Sequence, residues 1–309
     1  MGPRGIGLFL LSSLVNHSCL ENTNHVQSPT FAHISSTVQM RAIEPIKPNQ
    51  EINFSYLDEL YEPTNVRNEQ LMTAKFFACT CNRCRDPTEG GRFLRGIKCN
   101  ACATGYYCPK PLAKPQTSQT GKPILNEWKC HCCGATLPEE NPAQSNGNNN
   151  STTLTYVNES EVDQMVTQAL KKLRESNFET GKPFSEGVDL FEKVLNEYSK
   201  YYHPYHYTTT LAKVNLTECY MQPSRQNLQR ALELADEVIQ VGTQILPKYS
   251  AVLADFYHTK STVLRVMAQQ ARSSAVRKSL LNRGKDVLNT ELALFAVCKG
   301  PEHWRYKAL

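Results

Sequence analysis

The sequence predicts an α+β chain, β-rich and metal-bound as far as about position 137 and all-α from about position 156 onward. Three observations predict it. An alternating apolar pattern over residues 34–42 has the period of a strand, cysteines then come in tight pairs, and apolar stripes at helical spacing fill the second half. At 309 residues the chain can bury two or three cores. A formal charge of +5, with no dense run of Lys or Arg, argues little for nucleic acid from basicity alone.

Ten of the twelve cysteines lie between Cys19 and Cys133, mostly in C-x-x-C or C-x-C pairs, which suits a metal in a reducing compartment. Arg4 and the run Ile6 to Leu11 imitate a signal peptide, but paired zinc-type cysteines and export rarely coincide, so secretion is not expected. The expected location is the cytoplasm, the nucleus or both. No apolar run approaches the ~18 residues needed to span a bilayer.

In chain order, residues 5–24 open with an apolar segment and reach the compact polar turn Asn16-His17-Ser18-Cys19. Ile34, Ser36, Val38, Met40 and Ala42 alternate with Ser35, Thr37, Gln39 and Arg41, giving a strand. The stretch Glu44 to Gln50 supplies turn chemistry with two prolines, and Glu51 to Tyr56 gives a second short strand. Val66, Gln70, Leu71 and Ala74 share one face of a helix expected over 66–77.

Cys79, Cys81 and Cys84 then place three thiols close together, one ligand short of the tetrahedral set that zinc takes. Cys99-x-x-Cys102 and Cys130-x-x-Cys133 form a complete second set of zinc-ribbon type around a long Pro- and Gly-rich insert, with Cys108, His131 and Cys132 as spare donors and Trp128 expected over the site. By elimination the fourth ligand of the first set is best sought in Cys19, since Cys219 and Cys298 lie in helical patterns far along the chain. Two zinc ions are therefore expected.

Residues 138–155 read as a linker too poor in apolar side chains to order itself. Beyond it, stripes such as Val162, Met165, Val166, Ala169, Leu170 and Leu173 mark six helices with short connections, an α-solenoid of tetratricopeptide character without a strict repeat. The aromatic run Tyr201 to Tyr207 reads as packing between helices.

Asn16-His17-Ser18-Cys19, the strand Glu51 to Tyr56 and Phe76-Phe77-Ala78-Cys79-Thr80-Cys81-x-x-Cys84 together resemble the SET and post-SET regions of the SET-and-MYND (SMYD-type) lysine methyltransferases. Asp86-Pro87-Thr88-Glu89 followed by the second four-cysteine set looks like the arthropod branch of that family, and the helical half looks like its tetratricopeptide-like domain. The resemblance implies a partial SET domain with post-SET zinc over residues 1–84, a zinc-ribbon-like module over 85–137 and the helical domain over 156–309.

It also implies transfer of a methyl group from S-adenosylmethionine to a lysine of a protein substrate. Tyr56 would be the catalytic tyrosine. Asn16 and His17 would contact the cofactor, as would Tyr56, and Phe77 would stack on adenine. Cys19 would join Cys79, Cys81 and Cys84 on one zinc.

The sequence departs from the family at Lys75, where a channel tyrosine is usual, at Glu21 in place of proline, and at Asn49-Gln50-Glu51 in place of Gly-Glu-Glu. Neither a MYND finger nor the glycine-rich SET strands precede residue 5. The expectation is thus a truncated SET domain with weak or no activity. Two alternatives stay open: a non-catalytic scaffold whose helical repeats bind a peptide or chaperone tail, and a zinc-dependent nucleic-acid binder, for which direct contact is not expected.

Overall fold

The computed structural model describes residues 9–27, 38–110, 127–137, 159–177 and 181–300. Several sequence expectations fall outside them: the signal-like run up to Leu8, strand positions 34–37, most of the insert between the two knuckles and the linker. The chain divides into two compact units, one of residues 1–60, 67–81 and 242–309, the other of 61–66 and 82–241. The result is the expected mixed α+β chain, with small sheets, cysteine clusters and a largely helical C-terminal region.

The first unit opens with β1 (Asn16–His17), β2 (Thr23–Gln27), β3 (Val38–Ala42) and β4 (Asn53–Phe54). β1 pairs parallel with β4, and β2 pairs antiparallel with β3 so that Thr23 faces Ala42. Such short strands have few ladder bonds to offer, so side chains supply the rest. Asn22 Nδ2 donates to Glu51 O at 2.7 Å, its Oδ1 accepts from Asn53 N at 3.0 Å, and Thr23 Oγ1 donates to Asn53 O at 2.8 Å. Glu21 enters the same knot, its carboxylate accepting from Ser55 N at 2.7 Å. The sequence carries no sign of β2, because Thr23-Asn24-His25-Val26 lacks apolar alternation and takes its order from β3.

α1 (Thr64–Lys75) stops short of the helix expected to reach Phe77, because Phe76 takes φ +62°. A left-handed residue stops a helix and reverses the side-chain direction. Phe76 is accordingly 85% exposed, while Phe77 turns inward.

Later in the same unit, α7 (Ala251–Gln270) and α8 (Ser274–Cys298) form a hairpin, capped by Ser250 and Ser273, whose side chains accept from Leu253 N and Val276 N. Arg41 of β3 closes the far end of α8. Its Nε and Nη2 donate to the carbonyls of Val297 and Ala296 at 3.0 and 3.1 Å, satisfying last-turn acceptors with a cation at the negative helix end. Ile43, Ala254, Phe295 and Cys298 make the small core beside it.

The second unit holds α2 (Asn82–Arg85), then the antiparallel sheet of β5 (Ile97–Lys98), β6 (Tyr106–Pro109) and β7 (Trp128–Cys130), in the order β5-β6-β7. α3 (Glu159–Glu175), α4 (Lys182–Lys193), α5 (Tyr207–Cys219) and α6 (Leu228–Ile245, within this unit up to Val241) follow. The stripes predicted from spacing are buried: Val162, Val166, Ala169 and Leu173 of α3 meet Phe184, Val188 and Phe191 of α4. Gly187 permits that contact, since a Cβ there would stand 3.1 Å from Ala169 O and Leu173 Cδ2. The same core takes in Ile97, Tyr107 and Cys130, so the cysteine-bearing sheet packs on the helices as one hydrophobic body. The aromatic junction serves this packing. Tyr202 lies stacked on His206 at 4.0 Å, and His203 lies between Phe93 and Tyr106 at 4.7 and 4.6 Å.

Candidate active site and metal centres

Both cysteine sets are assembled. The Sγ atoms of Cys19, Cys79, Cys81 and Cys84 lie within 4.8 Å of one another, as do those of Cys99, Cys102, Cys130 and Cys133. In the second set Cys99 and Cys133 sulfurs stand 3.8 Å apart, and Cys102 and Cys130 sulfurs 3.7 Å. A tetrahedron of Zn–S bonds of about 2.3 Å has edges of about 3.8 Å, so this donor set fits zinc. The sulfurs are too far apart for disulfides, and all twelve cysteines are free. Gly105 makes room for them, because a Cβ there would stand 2.3 Å from Cys130 Sγ and 2.7 Å from Cys102 Sγ. Its sequence signal is faint: a glycine shortly beyond a knuckle cysteine.

The spare donors stay out of that cluster. Cys108 is buried and its thiol is pushed up to about 12, first by burial and then by nearby acidic groups, the state of a packing residue. His131 and Cys132 are exposed, with His131 Nε2 3.3 Å from Cys132 Sγ. Trp128 packs on the hydrophobic core and carries the Arg95 guanidinium 4.8 Å over its ring.

The first set sits in a different electrostatic setting. Cys19, Cys79 and Cys84 are buried, and Cys79 N donates to Asn68 Oδ1 at 2.8 Å. Arg67, fully buried, donates from Nε to Cys19 Sγ at 3.3 Å. A zinc ion with four thiolates carries a net charge of −2, so a buried guanidinium beside the sulfurs is the counter-charge such a centre needs. No sequence signal marks Arg67. Arg83 within the C-x-x-C turn is buried too, and its Nε pairs with Glu89 at 3.0 Å, whose other oxygen accepts from Thr64 N at 2.7 Å. The Asp86-Pro87-Thr88-Glu89 run thus has a structural use: Asp86 accepts from Thr88 N and Gly90 N at 2.9 Å and turns the chain so that Glu89 reaches Arg83.

His17 links the first cluster to the aromatic residues. Its Nδ1 accepts from Tyr56 N at 3.0 Å, which leaves the proton on Nε2, and Nε2 stands 3.3 Å from Cys19 Sγ. One ring therefore donates to a cluster sulfur and holds the Tyr56 backbone. Tyr56 is fixed at its other end as well, its hydroxyl donating to Val15 O at 2.7 Å. The rings of His17, Phe54 and Phe77 lie 5.3, 5.0 and 6.3 Å from that of Tyr56, and His17 lies 5.9 Å from Phe77. Asn16 is exposed, with Nδ2 bound to Glu51 Oε1 at 2.8 Å. The expected site residues His17, Tyr56 and Phe77 are thus mutual neighbours, and Asn16 adjoins them through β1. Lys75 lies against them too, its Nζ 5.5 Å from the centroid of the Tyr56 ring.

A second buried polar group lies within the other unit. Arg95 Nε donates to Glu159 Oε1 at 2.9 Å, and the buried His206 stands 3.4 Å from the same oxygen. Burial pushes the Glu159 carboxyl up, but Arg95 more than offsets this and holds it at about 2. Asp163, one turn along α3, is pushed the other way, to about 6, by burial and by Glu159.

Residues 4–57 match the SET domain family. The SET domain-containing protein SmydA-8, isoform B, of Drosophila melanogaster is 32% identical over 137 residues, 44% of this chain and 28% of that protein. The N-lysine methyltransferase SMYD2 of Homo sapiens is 39% identical over 80 residues, 26% of this chain and 17% of that protein. The histone-lysine N-methyltransferase ASHR1 of Arabidopsis thaliana is 34% identical over 118 residues, 36% of this chain and 23% of that protein. The chain spans less than a third of the length of these relatives. The chain thus carries a SET-domain match over residues 4–57, with Cys19 of that segment in the first cysteine cluster, and it is similar over part of its length to SET-domain proteins of the SMYD type.

Proposed function

We propose that this protein takes part in S-adenosylmethionine-dependent methylation of protein lysines, with Asn16, His17, Tyr56 and Phe77 forming its share of the methyl-transfer site. The observation that carries the reading is His17, which joins Cys19 to Tyr56 through its two ring nitrogens. The fit to the donor rests on chemistry: a half-buried wall of His17, Phe54, Tyr56 and Phe77 offers aromatic faces to a cationic sulfonium and an adenine. S-adenosylmethionine supplies a methyl carbon activated by its sulfonium. The chain holds Tyr56 rigidly at both ends, stacks Phe77 beside it and keeps the Asn16 side chain at the exposed edge. Each of the two four-cysteine sets takes one zinc ion, and the substrate is a lysine-bearing protein. The layout that goes with this reading is SET and post-SET to residue 84, a zinc-ribbon-like module to 137, a linker to 155 and a tetratricopeptide-like domain to 309. The cytoplasm or nucleus suits it, since thiols stay reduced there. No helix among the described residues is long and apolar enough to cross a membrane.

Lys75 favours a second reading, a non-catalytic scaffold whose helical domain binds a protein tail, because its ammonium lies over the Tyr56 ring. Calorimetric titration with S-adenosylmethionine separates the two. Methyl transfer predicts saturable binding, together with labelled methyl incorporation into histone or nonhistone protein that Tyr56→Phe abolishes while binding changes less than about threefold. No donor binding by the zinc-loaded protein refutes methyl transfer and leaves the scaffold.

A further inference from the structure

The mild net charge of the chain hides a strong segregation. Between Phe256 and Lys285 lie seven of the 34 basic residues and none of the 29 acidic ones, so the rest of the chain is slightly acidic. These residues are scattered along the stretch, which is why no dense basic run is visible in the sequence. The α7–α8 hairpin folds them together. Lys260 and Arg265 on α7, Arg272 in the short connection, and Arg277, Lys278, Arg283 and Lys285 on α8 all fall within the connected end of the hairpin. At about 1.5 Å per residue, that end is about 15–18 Å long. All but Lys260, which is half-buried, are exposed.

The shape is as informative as the charge. From Ser273 to Arg283 only Leu280 is buried, so the first three turns of α8 meet solvent on nearly every side. The packed side of a two-helix hairpin ordinarily hides a stripe of each helix. A helix exposed almost all round is convex and offers no groove to a peptide, but it is itself the size of object that a groove admits. The major groove of B-form DNA, about 12 Å wide, takes one α-helix, whereas the deep, narrow major groove of A-form RNA does not. Four of the seven cations are arginines, whose planar fork suits phosphate oxygens, and Arg277 Nη2 also braces the turn by donating to Ala271 O at 3.0 Å. The helix start adds its own positive end, capped by Ser273.

We propose that the connected end of the α7–α8 hairpin is a docking surface for double-stranded DNA, held chiefly through its phosphates. Binding of this kind is governed by counterion release. With about four phosphates neutralised, affinity falls about 150-fold between 50 and 200 mM salt.

The test uses the full chain, zinc-loaded, and a fluorescein-labelled 20-base-pair duplex followed by anisotropy. Arg277→Glu/Lys278→Glu/Arg283→Glu is expected to weaken binding at least tenfold at 50 mM salt with an unchanged circular dichroism spectrum and melting curve. Lys171→Glu/Lys193→Glu/Lys200→Glu, an equal change of net charge on exposed residues of the other unit, is expected to change it less than about twofold. Absence of duplex binding at 50 mM salt, equal effects of the two triple variants, or preferential binding of a poly-glutamate peptide or of an RNA duplex each overturns the proposal.

Discussion

Changing Cys19 to Ser tests the link between the SET-matched segment and Cys79, Cys81 and Cys84. Cys19 is 1% exposed and lies far ahead of Cys79 in the sequence, yet its sulfur stands within 4.8 Å of the other three. Loss of one thiolate in four opens the tetrahedral set, so zinc content should fall from two ions to one per chain. The stability cost has a part that can be worked from Arg67. Opposite unit charges 3.3 Å apart attract by about 5 kcal/mol at an effective dielectric of about 20. Sharing of the thiolate charge with zinc cancels more than half of this, leaving a pairwise coupling of about 2 kcal/mol. A double-mutant cycle of Cys19→Ser with Arg67→Met, read by urea unfolding at fixed zinc, should return a coupling of that size. Two zinc ions retained in Cys19→Ser would refute the ligand set. A coupling below about 0.5 kcal/mol, the scatter expected of independent sites, would refute Arg67 as its counter-charge.

The second cluster and the buried carboxylates make separate predictions. Gly105→Ala places a Cβ 2.3 Å from Cys130 Sγ, so zinc should be lost from that site alone and stability should fall by about 3 kcal/mol or more; metal analysis and thermal melts check both. Asp163, raised to about 6 from 3.8, penalises the fold once ionised, by up to about 1.5 kcal/mol at pH 5 and about 3 kcal/mol at pH 7.5. Its partial exposure reduces these figures, so the stability advantage of Asp163→Asn should grow by about 1 kcal/mol from pH 5 to 7.5 in urea titrations, and an advantage that stays constant with pH would exclude the shift.

What can be read from the sequence is whatever a local pattern carries. Cysteine spacing finds both clusters, and apolar periodicity finds α3 to α8, because ligands and buried stripes repeat at intervals fixed by local geometry. The resemblance puts His17, Tyr56 and Phe77 in one site, and the rings are neighbours. β2 escapes because its order is borrowed from β3, and Arg67 escapes because a buried arginine on a helix looks like a solvated one. The helix end at Phe76 escapes for a related reason. Nothing in Lys75-Phe76-Phe77 signals a left-handed turn, and with that turn Phe77 comes to face His17. The acid-free stretch 256–285 does show in the sequence, but its basic residues become neighbours only when the two helices fold back on each other.

Tyr56 and Lys75 define the physical question at the proposed site. Tyr56 is immobilised through Val15 O and His17 Nδ1, the rigidity that an in-line transfer demands. An ammonium over its ring acts on any amine that approaches, and it acts in two opposite senses. It repels a lysine that arrives protonated, which weakens binding of the ordinary form at neutral pH. It also lowers the pKa of a lysine already held nearby, and the neutral amine is the form that can attack a methyl carbon. Which effect governs turnover depends on how far Lys75 remains on the ring when substrate enters. Lys75 is exposed at the last residue of α1, with Nζ 5.5 Å from the ring centroid, so its side chain has room to turn outward. At the proposed site Lys75 would therefore bear on which lysine is admitted as directly as on turnover.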